Sequence, residues 1–138
     1  MPVATCQLHH HPRHVDDRGA LLAVEHPGQV PFPIARCFVT SEMKAGVARG
    51  GHAHKECHEY LLCLHGRVRI TASDPSGRDD VMLEADGTGY HLTPMSWIDI
   101  VPATDDAILM VLCSHGYDPD DYLHDRATFD RMAQESLP

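Results

Sequence analysis

Residues 46–66 read GVARGGHAHKECHEYLLCLHG, and the spacing within this stretch decides the fold. His52 and His54 stand two apart, so on a strand both imidazoles point to one face. Glu59 lies an odd number of residues after His54 and reaches that face only if a turn or bulge intervenes, as Lys55-Glu56-Cys57-His58 allows. Gly66 suits a tight turn back, where a left-handed backbone costs little. Two neutral imidazoles and a carboxylate that converge make either a metal site or an acid/base site.

Short strand-like stretches flank this segment at 21–25, 34–40, 60–65, 67–72, 81–84, 89–93, 97–101 and 107–113. His65-Gly66, Asp74-Pro75-Ser76-Gly77, Asp86-Gly87 and Pro102 supply turn signals between many of them. The alternation in Arg67-Val68-Arg69-Ile70 is that of a half-buried strand. Many short strands with regular turns predict an all-β sandwich or small barrel. Residues 120–135 form the one helical stretch, with Leu123, Ala127 and Phe129 able to pack back on the strands, and the acidic run 118–121 suits its cap. Residues 1–16 are polar and His-rich and predict a solvated arm ahead of one domain over 17–138.

The chain of 138 residues has room for one core. Its formal charge of −9 excludes a basic face for a nucleic-acid backbone. A few arginines can still hold an anionic small ligand. Five cysteines without CxxC spacing, no apolar run of membrane-spanning length (about 18 residues) and no signal peptide predict a cytoplasmic protein with reduced thiols and no membrane partner.

The spacing G-x5-H-x-H-x4-E-x6-G is the first signature of the cupin barrel, here an RmlC-like antiparallel jelly roll. Beyond it, the chain from Asp17 to Phe129 resembles the sugar 3,4-ketoisomerase (WxcM-like) family of cupins. The resemblance rests on Asp17-Arg18-Gly19-Ala20-Leu21, on Pro31-Phe32 with Ile34 and Arg36, and on Arg49-Gly50-Gly51-His52-Ala53-His54-Lys55. Pro94-Met95-Ser96-Trp97, Ser114 through Tyr117-Asp118, and Asp121-Tyr122 complete it. It implies an isomerase on a dTDP-linked 4-keto-6-deoxyhexose in deoxysugar biosynthesis, moving the carbonyl from C4 to C3 through an enediol without a cofactor. His52 and His54 match the family's proton-shuttling pair, histidine being suited to accept and donate near neutrality. Arg18, Arg36, Arg49 and Trp97 match as substrate-binding or site-shaping residues, and the family resemblance implies a homodimer with exchanged strands.

Three departures open a second reading. Glu59 stands where these isomerases usually carry an amide, Cys37-Phe38-Val39 follows Arg36 where a tyrosine is usual, and Ile98 rather than a polar residue follows Trp97. The second cupin signature places a metal-binding residue five after a proline, which from Pro94 is Asp99. His52, His54, Glu59 and Asp99 then form a set suited to Mn, Fe, Ni or Zn. On that reading the protein is a metal-dependent lyase, cyclase or oxygenase.

Overall fold

The computed structural model describes residues 1–137. Twelve strands form: β1 Gln7–His10, β2 Arg13–Asp16, β3 Gly19–Leu22, β4 Arg36–Thr40, β5 Arg49–His54, β6 Glu59–His65, β7 Arg67–Asp74, β8 Gly77–Glu84, β9 Thr88–Leu92, β10 Trp97–Pro102, β11 Ile108–Cys113 and β12 Tyr122–Leu123. One helix, α1 Arg126–Glu135, follows. All strand pairings are antiparallel. One sheet has the order β1-β9-β6-β11-β4, the other β12-β5-β10-β7-β8, and β2-β3 stand apart as a hairpin. This is the all-β architecture expected from the strand spacing, in the jelly-roll form that the cupin resemblance implied.

The interior between the sheets is aliphatic, built from Leu61, Cys63, Val68, Ile70, Ala72, Leu83, Ile98, Leu109 and Val111. Period-two alternation places them there: Val68, Ile70 and Ala72 are fully buried, with more exposed residues between them. Gly66 closes β6 to β7 with φ +69, and a Cβ there would come within 2.9 Å of the Ala107 backbone. Val30 and Phe32 cover the outer face of the first sheet through Tyr60, Leu62 and Leu112. On the second sheet Phe129 and Ala133 of α1 pack over Ala53 and Trp97. Asp125 caps that helix, its carboxylate accepting from the Thr128 amide at 3.0 Å.

Two expectations change. The helix begins at Arg126 rather than near 120, because Tyr122 and Leu123 pair with His54 and Ala53 as an edge strand. Asp118 instead caps a 3-10 turn at Pro119–Asp121. The first sixteen residues are not a solvated arm. β1 pairs with β9, Val3, Cys6 and His11 are buried, and His11 bonds the Tyr60 hydroxyl. A polar composition hid this, since neutral imidazoles can be buried where they find partners. His91 on the same sheet bonds His58 at 3.0 Å, and burial lowers it to about 4, which keeps it neutral.

Candidate functional site

β5 lies between β10 and β12 and carries both histidines of the motif. His52 is opposite Ile98 and Gly50 opposite Asp99, so Gly51 is an extra residue, a bulge. Gly50 and Gly51 take φ +87 and +72, conformations that side chains with a Cβ avoid. The bulge leaves Ala53 facing the helix while the imidazoles of His52 and His54 stand edge to face, 5.1 Å between centroids.

The turn at 55–58 supplies the parity change that Glu59 needs, and Glu59 opens β6 with its side chain buried. Glu59 Oε1 lies 3.4 Å from His54 Nε2, a long contact that leaves this nitrogen without a close hydrogen-bond partner. The other nitrogen is firmly held, His54 Nδ1 donating to Asp121 Oδ2 at 2.9 Å. The same carboxylate accepts the Glu56 amide at 2.7 Å and the Cys57 amide at 3.3 Å. Asp121 thus orders the turn and fixes the orientation of His54 together.

The two imidazoles are driven apart in acidity. Burial pushes His52 down, and the neighbouring His54 and His124 add to that against the pull of Glu59, so its neutral form is favoured. Burial also pushes His54 down, but the Glu59 and Asp121 carboxylates outweigh it and its pKa is raised. A pair split this way can offer a base and an acid side by side.

A cavity of about 100 Å³ opens beside His52, lined at its polar end by Arg49, His52 and Glu59. Phe38, Leu61, Ile100, Leu109 and Val111 make its apolar wall. Thr40 also lines it, and its hydroxyl is buried without a protein partner. Arg36 shares the β4 face of Phe38, its guanidinium 4.8 Å over the Phe38 ring and 5.2 Å over Tyr117.

Other expected residues lie elsewhere. Asp99 alternates with Ile98 and Ile100; since both isoleucines face inward, Asp99 faces out with Trp97 and does not join the histidines. Trp97 packs under Phe129, with Arg126 5.3 Å above its ring, so it belongs to the outer helix layer. Arg18 lies on the β2–β3 hairpin with its side chain 88% exposed, paired to Asp16.

Two residues beside the histidines had no site role in the sequence reading. Asp121, read there as part of a helix cap, bonds His54 instead. Tyr122 is the other, its ring 4.3 Å from that of His54 and 5.3 Å from that of His52. Both are placed by a 3-10 turn and the two-residue strand that follows it, which no periodicity reveals.

One donor atom each from His52, His54 and Glu59 lie within 4.8 Å of one another, so these three side chains can reach one divalent ion. The fourth ligand proposed for them is missing, because Asp99 faces away. His54 Nδ1 is already engaged by Asp121, so only Nε2 remains to face an ion.

Comparison with known proteins places this arrangement. Residues 4–134 match the family model described as FdtA: WxcM-like, C-terminal. The TDP-4-oxo-6-deoxy-α-D-glucose-3,4-oxoisomerase of Aneurinibacillus thermoaerophilus is 32% identical over 115 residues, 83% of each chain. The solved sugar 3,4-ketoisomerase QdtA of Thermoanaerobacterium thermosaccharolyticum, in complex with TDP, superposes with TM-score 0.93 over 99% of both chains at 26% identity. A 3,4-ketoisomerase from Helicobacter canadensis gives TM-score 0.89 at 28% identity, over 94% of this chain and 98% of its own. These relatives favour acid/base chemistry over the metal-dependent lyase, cyclase or oxygenase reading. With its paired histidines set on the strand where the motif put them, the chain belongs to the WxcM-like, sugar 3,4-ketoisomerase family of cupins.

Proposed function

We propose that this protein is an isomerase that interconverts the 4-keto and 3-keto forms of a dTDP-linked 6-deoxyhexose, in deoxysugar biosynthesis. The observation that carries the reading is the imidazole pair of β5, edge to face at 5.1 Å with His52 lining the cavity, the pKa of His52 pushed down by burial and that of His54 raised by Glu59 and Asp121. His52 takes the proton from C3. The C–H electron pair becomes the C3–C4 double bond, and the carbonyl pair moves onto O4. Collapse from O3, whose hydroxyl proton passes to O4, returns a proton to C4 from His54. A proton passing from His52 to solvent and from solvent to His54 resets the pair, so every proton is conserved and no oxidant or reductant is needed.

Arg49 at the cavity and Arg36, stacked on the cavity residue Phe38, supply positive charge for the ligand's anionic part. No helix among the described residues is long and apolar enough to cross a membrane. The test is to incubate the protein with TDP-4-keto-6-deoxyglucose and follow the carbon skeleton by NMR. A 3-keto product is expected; an unchanged substrate overturns the reading.

We also propose a homodimer. Val15 and Leu21 of the β2–β3 hairpin are 68% and 59% exposed, a poor state for apolar side chains on a ribbon that stands apart from both sheets. A neighbouring copy would cover them, and the exposed Arg18 would then serve that copy's ligand. Light scattering on a sizing column should give twice the mass of 15.3 kDa; a single-chain mass overturns it.

A further inference from the structure

β4 is an edge strand of one sheet, and β12, paired to β5, is an edge strand of the other. The Tyr122 ring on β12 lies against both histidines of β5, and its hydroxyl lies near the guanidinium of Arg36 on β4. The phenol therefore stands beside the histidine pair, of which His52 lines the cavity.

The hydroxyl's surroundings differ from those of the two fully buried tyrosines. Tyr60 engages His11, and Tyr90 donates to Asp79 at 2.7 Å, so their hydroxyls are used inside the protein. Tyr122 meets Arg36, which has only donors to offer and so can bond only the phenol oxygen. That leaves the Tyr122 proton free to point elsewhere. Arg36 is itself held by its stacking on Phe38 and Tyr117, so the phenol oxygen meets a fixed partner.

We propose that Tyr122 is a third catalytic group, whose O–H donates a hydrogen bond to the sugar oxygen that takes up charge as the carbonyl becomes an enediolate. The base and the donor are then neighbours, as the C3–H bond and the C4 carbonyl are neighbours in the substrate. The nearby positive charge of Arg36 makes the phenol a stronger donor. Tyr122 need not ionise for this: burial pushes the phenol's pKa up and Arg36 only partly offsets that, so it stays a donor at neutral pH.

The inference rests on the ketoisomerase reading, and one experiment separates the two. Wild type and Tyr122→Phe are compared for turnover of TDP-4-keto-6-deoxyglucose, for deuterium uptake at the reacting carbons from D2O, and for TDP affinity. The phenylalanine keeps the ring against both histidines. Expected are a kcat lower by about 10²-fold, a KM changed by less than about threefold, and deuterium uptake reduced in step. A Tyr122→Phe enzyme with wild-type kcat and uptake overturns the proposal. So does a loss matched by an equal loss of TDP affinity, which would make Tyr122 a binding wall only. Incorporating a fluorinated tyrosine at 122 gives a second readout: kcat shifts with phenol acidity if the O–H acts, and stays put if only the ring matters. A wild type that leaves the substrate unchanged fails the ketoisomerase reading instead.

Discussion

Replacing His52 with asparagine should lower kcat by about 10³-fold while leaving TDP affinity near wild type, because a positioned general base contributes ~10²–10⁴. Asparagine keeps a polar side chain opposite Ile98, so the strand and its bulge should persist. The wild-type pH profile carries the companion signature. His52 must be neutral to act, and burial lowers its pKa, so kcat/KM should fall on the acid side only below the ordinary histidine value of about 6.5. His54 must hold its proton, and the carboxylates raise its pKa, so the alkaline limb should lie above about 6.5. The result is a plateau that brackets the ordinary histidine value of about 6.5. Steady-state kinetics across pH reads both limbs. An H52N enzyme within tenfold of wild type would remove His52 from the proton path.

Asp121→Asn should cost about 10²-fold in kcat although Asp121 stands behind His54. An amide can turn only one oxygen to the site. If that oxygen keeps the Glu56 amide, the NH₂ group meets two donors, His54 Nδ1–H and the Cys57 amide. The clash leaves buried groups unsatisfied, so the melting temperature should also fall, by the equivalent of ~1–3 kcal/mol. A purely structural role predicts the melting change alone. A relay role predicts, in addition, an alkaline limb moved to lower pH, since the anion that helps His54 keep its proton is gone. Unchanged limbs in a folded D121N enzyme would sink the relay.

The sequence disclosed what depends on short-range spacing. His52 and His54 share a face by parity, the turn at 55–58 brings Glu59 to them, and Gly66 reverses the chain. The strands β6 to β11 overlap the short stretches readable in the sequence, many of them separated by turn signals. Asp99 shows where counting fails. Its distance from Pro94 was right, and so was its shared face with Trp97, but that face is the outer one, under α1. Parity says which residues go together and not which side is inside. The polar start misled because hydropathy treats histidine as solvated, whereas His9 and His11 lie against Tyr60. Asp121 had no local signal at all. Next to Asp118 and Asp120 it reads as one more acidic residue at a helix start.

That last contact joins residues 67 apart in sequence. Contacts of such separation carry a large loop-closure cost and report on late steps in ordering a chain. On a ribosome, His54 would emerge well before Asp121 exists to hold it. Until the later segment docks, its imidazole is free to take either tautomer. On the proposed mechanism, competence is thereby tied to the arrival of the distant turn Pro119–Asp121, a checkpoint set by chain connectivity rather than by chemistry.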